Sequence, residues 1–520
     1  MHWKRAILLF TFFGVCASQA SAEKVAWGPC DLKDQPPLPV ECGSLAVPLD
    51  YSDPGSDKLD LQLLKVPALR TPKKGSILFN FGGPGVGVRD VLAERGELLH
   101  GLTGGYYDLI GEDPRGTVDT LTASCFKNAT DRAAAMTAAG LSVIATPEDA
   151  MALGRQWAGA GLLADSCFAS EYMKENGTLI STAYAARDLM QVVDAVEEDG
   201  LLRYWGFSYG TVLGATVAAM FPDRVDKLIL DAVMNPHEYY NDYDKQVWAD
   251  ADKVFSSVMD QCIKTPERCV LARKNTTAAD LEKATYTLLD NLKREPISAQ
   301  GVIVDHSLVK SFIRACLYRP EYYPNLAVGL DALFSGNATG FLANLAQQGG
   351  GEEAAGGVAD EAVYAIPCSE KRTGKEALSD VVPDLGQLAQ ESKLIGDVGS
   401  SVALVCTRWQ IEAKERYEGT FDVKTRNPVL VIGNTYDSAT PLVSAKNISA
   451  SFEGSVVLEH GGWGHGTLAH GSACTSRVVR DYWMNGTLPQ PGSVCEPDYP
   501  PFNQGSLQQV LENIGFIGKD

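Results

Sequence analysis

The fold class this sequence predicts is α/β: a mainly parallel sheet with helices on both faces and a large, mostly helical block inserted into it. Three observations predict it. Short apolar strands alternate with helical stretches from Cys42 to Ala232, the alternation returns at Val429, and residues 235–427 break it with long helix-prone, aromatic-studded sequence.

The chain opens with Met1-His2-Trp3-Lys4-Arg5, runs apolar from Ala6 to Cys16 and then reads Ala20-Ser21-Ala22. A basic start, a short apolar run and a small-x-small site describe a secretory signal peptide over residues 1–22. The run is too short to span a bilayer, and no later segment is long and apolar enough to replace it, so an exported protein without a membrane anchor is expected. The chain carries 45 Lys+Arg against 65 Asp+Glu, a net charge of −20, which disfavours nucleic acid and anionic membrane as partners. Within the mature chain, residues 23–234 form the first part of the sheet domain, 235–427 the inserted cap domain and 428–520 the second part.

Leu59-Asp60-Leu61-Gln62-Leu63 alternates apolar and polar as a half-buried strand does. Ser76–Phe81 is a compact strand that runs into Gly82-Gly83-Pro84-Gly85. Tyr107–Gly111 is another, ending in Glu112-Asp113-Pro114-Arg115-Gly116. Residues 117–178 read as an Ala-rich insertion. A helix follows, with Ala185, Leu189, Val192 and Val196 on one face. Leu228–Ala232, Val429–Gly433 and Val456–Glu459 supply the later strands, and a Gly/Glu-rich stretch lies near 348–360.

Between that helix and the strand at Leu228 stands Leu201-Leu202-Arg203-Tyr204-Trp205-Gly206-Phe207-Ser208-Tyr209-Gly210-Thr211. An apolar run meets Gly-x-Ser-x-Gly and a small-residue helix pattern follows, which is a strand, a sharp turn and a helix with Ser208 at the tip. Ser208 is the candidate nucleophile, and the Tyr209 N–H at the helix start is a candidate oxyanion donor. A nucleophilic serine needs a base and an orienting acid, and the strands after the inserted block each deliver one at a C-terminal end. Asp437, after Val429–Gly433, is the candidate acid, with Asp231 as its rival. His465, flanked by Gly464 and Gly466, is the candidate base. His460 and His470 compete, but one sits at a strand end and the other at the start of a helix. The second oxyanion donor falls in the glycine turn: Pro84 has no N–H, which favours Gly83, with Gly82 next. The histidine spacing fits no ordinary ligand pattern, so no metal and no cofactor is expected.

Of twelve cysteines, Cys16 falls in the signal segment, and an exported chain uses the rest mainly in disulfides. Proximity favours Cys30–Cys42, Cys125–Cys167, Cys262–Cys269 and Cys474–Cys495, leaving Cys316, Cys368 and Cys406. Asn-x-Ser/Thr sequons at Asn128, Asn176, Asn275, Asn337, Asn447 and Asn485 point to a glycoprotein.

Val47-Pro48-Leu49-Asp50-Tyr51, Gly82-Gly83-Pro84-Gly85, Asp113-Pro114-Arg115-Gly116, Gly206-Phe207-Ser208-Tyr209-Gly210-Thr211, Asp437-Ser438-Ala439-Thr440-Pro441 and Gly464-His465-Gly466 look like one family's signatures. So do Ile366-Pro367-Cys368-Ser369-Glu370 with Cys406 and Trp409, and Gly486-Thr487-Leu488-Pro489 before Cys495. The chain resembles, over nearly its whole mature length, the exported tripeptidyl aminopeptidase-like α/β-hydrolases, relatives of the proline iminopeptidases. The resemblance implies an α/β-hydrolase fold and a serine exopeptidase that removes short peptides from free N-termini. Such an enzyme needs carboxylates in the cap at the pocket mouth for the substrate ammonium, and Glu370 stands where the family pattern usually has an acidic residue. Asn80, Phe81 and Thr117-Val118-Asp119 depart from that pattern, which keeps an esterase with the same triad as the alternative; a non-catalytic glycosylated module is the third reading. A monomer acting on a peptide or ester is expected.

Overall fold

The computed structural model describes residues 24–32, 34–347, 361–503 and 505–518. The expected signal peptide, residues 1–22, and the Gly/Glu-rich stretch at 348–360 lie outside the described residues. Eleven strands are seen among them: β1 (Glu41–Pro48), β2 (Lys58–Val66), β3 (Ser76–Asn80), β4 (Asp108–Glu112), β5 (Leu202–Ser208), β6 (Val225–Val233), β7 (Ile297–Ala299), β8 (Val302–Val304), β9 (Leu430–Tyr436), β10 (Val456–Trp463) and β11 (Val494–Cys495).

Nine of them form one sheet in the order β1-β2-β4-β3-β5-β6-β9-β10-β11. The pairs β1–β2 and β2–β4 are antiparallel and the rest parallel. This is the mainly parallel sheet that the alternation of strands and helices predicts, in the α/β-hydrolase arrangement that the resemblance implies. The parallel strands are apolar on both sides because both faces are covered. On β5, Leu202 and Tyr204 join one core with Leu78, Leu228, Leu230 and Val431. Trp205 and Phe207 point the other way, into a second core with Ile77, Phe79, Ile229, Leu430 and Ile432.

Helices Thr182–Val196 and Tyr209–Met220 pack together on the first face, and Val88–Thr103 and Ala473–Asn485 on the second. Helix Tyr209–Met220 lies tight on the sheet: a Cβ at Gly214 would sit 2.8 Å from both Leu230 Cδ2 and Tyr204 Cε1.

β6 and β9 are neighbours in the sheet, yet the chain between them is long and mostly helical, with the separate hairpin β7–β8. Disulfides join Cys30–Cys42, Cys125–Cys167, Cys262–Cys269, Cys368–Cys406 and Cys474–Cys495. The Cys368–Cys406 bond ties helix Ala362–Glu370 to helix Ser400–Arg408. Cys316 is buried in helix His306–Leu317. Among the described residues no helix is long and apolar enough to cross a membrane.

Candidate active site

β5 ends in a turn that only glycines on either side permit. A Cβ at Gly206 would lie 2.2 Å from the Gly210 carbonyl oxygen, and one at Gly210 would lie 2.5 Å from the Asn80 carbonyl oxygen. Ser208 between them is half-buried and holds φ 55°, ψ −125°, the strained conformation that lifts a side chain off the strand. Two hydroxyls brace the turn: Tyr204 donates to Gly210 O at 2.8 Å and Thr211 to Ser208 O at 2.6 Å.

The glycine turn after β3 lies directly against this elbow. A Cβ at Gly82 would sit 2.6 Å from Ser208 Cβ and 3.1 Å from the Tyr209 nitrogen. Gly82 itself donates its N–H to the buried Asn80 side chain at 2.9 Å, so that group is engaged within the turn. Downstream, Asp113 accepts from the Val88 and Arg89 N–H groups at 2.8 and 3.2 Å, capping the helix that leaves the turn. Arg115 is fully buried on Asp188, with Nε–Oδ2 2.6 Å and NH2–Oδ1 2.8 Å, and also donates to Leu49 O and Leu179 O. The Asp113-Pro114-Arg115-Gly116 run is therefore a brace for the glycine turn and its surroundings.

Asp437 and His465 meet. The imidazole Nδ1 lies 3.0 and 3.2 Å from the two carboxylate oxygens, and Asp437 is completely buried. The carboxylate also accepts from the Ala439, Thr440 and Gly466 N–H groups and from the Thr440 hydroxyl at 2.7 Å. Burial alone would raise its pKa; the facing His465 and these donors overcome that and hold it below the ordinary carboxylate value. Thr440 Oγ1 also stands 3.1 Å from His465 Nδ1. Sequence reasoning missed Thr440, although its place three residues after the acid was visible in the Asp437–Pro441 signature.

The loop carrying His465 stands over the ends of the central strands. Asn434 of β9 donates to Gly464 O at 2.9 Å and Gly466 O at 2.8 Å. A Cβ at Gly466 would lie 3.3 Å from Ala232 Cβ and 3.8 Å from Phe207 Cδ1, next to the serine turn. The rival acid, Asp231, accepts from Thr467 N–H at 3.1 Å and Thr467 Oγ1 at 2.5 Å, so it anchors the loop rather than the imidazole. Burial pushes it up to about 6.

The rival histidines are occupied elsewhere. His460 is fully buried with Nδ1 2.8 Å from Thr475 Oγ1; His470 accepts from Trp463 N–H and donates to Tyr499 O. Burial pushes them down to about 3 and about 4, so both are neutral packing groups at neutral pH.

Glu370, expected in the cap at the pocket mouth, is enclosed by its neighbours. It is fully buried, and its carboxylate accepts from Thr182 N–H (2.9 Å), Thr182 Oγ1 (2.7 Å) and Tyr239 OH (2.9 Å). Thr182 Oγ1 is in turn 2.8 Å from Tyr209 OH, so Glu370 belongs to the support behind the elbow. Burial raises it to about 7. Of the six sequon asparagines, Asn176 is half-buried and the other five are exposed. Among the described residues no cluster of three or more His, Cys, Asp or Glu could hold a metal ion.

Residues 392–495, which include Asp437 and His465, match the TAP-like protein family. A tripeptidyl aminopeptidase of Streptomyces lividans is 25% identical over 506 residues, covering 94% of this chain and 89% of its own. Over nearly its whole length the chain is thus similar to TAP-like α/β-hydrolases. A serine protease of Mycobacterium tuberculosis is 26% identical to this chain, over 91% of each. A carboxylesterase B of the same organism is also 26% identical, over 88% of this chain and 86% of its own. With these relatives, the chain is a serine hydrolase.

Proposed function

We propose that this TAP-like hydrolase is an exported exopeptidase that removes short peptides from free N-termini through an acyl-enzyme on Ser208. The observation that carries the reading is the Asp437–His465 pair, joined across the ends of β9 and β10 beside the Gly206–Gly210 elbow, together with relatives named tripeptidyl aminopeptidase and serine protease. Asp437 fixes the imidazole with its Nδ1 proton inward, leaving Nε2 to take the Ser208 proton as the hydroxyl attacks an acyl carbon. The Tyr209 and Gly83 amides receive the oxyanion; the engagement of the Gly82 N–H with Asn80 favours Gly83 over its neighbour. His465 then protonates the leaving amine, and water resolves the acyl-enzyme by the same path. Residues 235–427 act as a cap over this site. The Ala20-Ser21-Ala22 leader and the five disulfides support export, and the exposed sequons at Asn128, Asn275, Asn337, Asn447 and Asn485 support glycosylation.

Two observations favour an esterase as the second reading: the carboxylesterase relative, and the enclosure of Glu370, whose carboxylate is already engaged by Thr182 and Tyr239. Purified protein and Ser208→Ala should be compared on a peptide arylamide with a free N-terminus, its N-acetylated form and a short nitrophenyl ester. Cleavage of the free-amine arylamide alone, lost in the variant, supports the exopeptidase. Ester cleavage without peptide cleavage replaces it with the esterase, and activity surviving in Ser208→Ala removes the serine mechanism.

A further inference from the structure

The chain between β6 and β9 reaches the catalytic loop itself. Helix His306–Leu317 ends in a turn where the Tyr318 carbonyl accepts the His465 N–H at 2.7 Å. The Tyr318 ring lies over the imidazole, with centroids 5.0 Å apart and planes 60° to one another. The fit is close: Gly464 has φ +88°, and a Cβ there would lie 2.7 Å from Tyr318 O and 2.9 Å from Pro320 Cδ. Other polar backbone groups of the loop are held from the sheet side. Asn434 holds the Gly464 and Gly466 carbonyls, the Gly464 N–H donates to Tyr436 O at 3.0 Å, and the Gly466 N–H goes to Asp437. Tyr318 is fixed in its turn by Arg314, one helical turn back, which donates to its phenol at 2.9 Å with the guanidinium carbon 5.2 Å from the ring centroid.

We propose that Tyr318 is a positioning residue for the catalytic histidine, so that the triad, read as above, is complete only with a residue from the inserted segment. Between two positive-φ glycines His465 has little intrinsic stiffness. Asp437 fixes one edge of the ring, and Tyr318 fixes the backbone N–H and one face. Orientation matters most at the step where the imidazolium gives its Nε2 proton to the leaving atom as the acyl–leaving-group bond breaks. A nitrophenolate departs without that proton; an alkoxide or an amine requires it.

The test uses Tyr318→Leu, Tyr318→Phe and Gly464→Ala, with a series of esters from nitrophenyl to ethyl and one arylamide. Rates are normalised to the fraction of protein that a fluorophosphonate labels, which separates misfolded protein from folded protein with a displaced imidazole. In Tyr318→Leu the rate on poor leaving groups falls roughly ten- to a hundredfold, while the nitrophenyl ester falls by about threefold or less and KM stays near wild type. Gly464→Ala, which wedges a methyl against the Tyr318 carbonyl, gives the same leaving-group-dependent loss, and Tyr318→Phe keeps wild-type rates. Equal losses across the series, no loss, or a Phe variant as impaired as Leu overturns the proposal. A wild-type protein that cleaves nothing in the series, or a Ser208→Ala variant that cleaves it all, overturns instead the serine mechanism on which the proposal rests.

Discussion

Asp437 and Asp231 are both completely buried, stand at the ends of neighbouring strands and accept hydrogen bonds from residues 465–467. They titrate in opposite directions. Asp437 faces the His465 imidazole, a cation during turnover in the proposed mechanism, and stays below the ordinary carboxylate range, whereas Asp231 faces the Thr467 hydroxyl and amide and is raised to about 6. Burial is common to both, so the partner decides in which direction each carboxylate shifts. One loop thus uses one acid to orient its histidine and another to hold its backbone.

That division can be broken by substitution. Asp437→Asn should cost the most, about 10⁴-fold in kcat, because the amide favours the wrong imidazole tautomer. An amide nitrogen in place of either oxygen meets an N–H donor, from Ala439 and Thr440 or from Gly466, so thermal unfolding should fall as well and rates are taken per folded protein; an activity loss under tenfold would shift the orienting role to Asp231. Thr440→Val removes a hydroxyl shared by the acid and the imidazole. Hydrogen bonds to charged groups of this sort are worth roughly ten- to a hundredfold, and kcat for the arylamide measures it. Asp231→Asn should cost the least, about threefold or less in kcat, since an amide can still accept from the Thr467 N–H and donate to its hydroxyl.

Its signature is in stability. Asp231 has an ordinary pKa of 3.8 and a folded value of about 6. Between those values the folded chain keeps a proton that the unfolded chain has lost, so stability falls as pH rises through the window and the loss is complete above it. The raised pKa corresponds to about 3 kcal/mol. Urea unfolding from pH 4 to 7 should show a shallower decline in Asp231→Asn than in wild type; parallel curves would mean that Asp231 is not the group titrating.

Much of this was legible in the chain. The alternation from Cys42 onward predicts the central strands because a sheet covered on both faces demands unbroken apolar runs, and β3, β5, β6 and β9 obey it. The elbow is equally readable, since Gly206 and Gly210 answer to contacts within a few residues of Ser208 or across one strand pair. Short elements escaped: β7, β8 and β11 have two or three residues each, too few to show a period. Glu370 was misplaced because burial of a carboxylate depends on distant partners, Thr182 and Tyr239, that no spacing along the chain reveals. Tyr318 and the Cys368–Cys406 bond were hidden for the same reason, as each depends on how separate parts of the chain pack. Asn80 looked like a departure in the sequence and has a local task in the structure, gripping the Gly82 N–H.

The backbone at Ser208 carries a further consequence. Its φ of 55° with ψ −125° suits a residue without a Cβ, so the position is uncomfortable for the serine that the proposed mechanism requires. Ser208→Gly should therefore outlast the active protein on heating while doing nothing. Durability and turnover pull in opposite directions at this residue, and any lineage that lost the need for activity would gain robustness by letting the serine go.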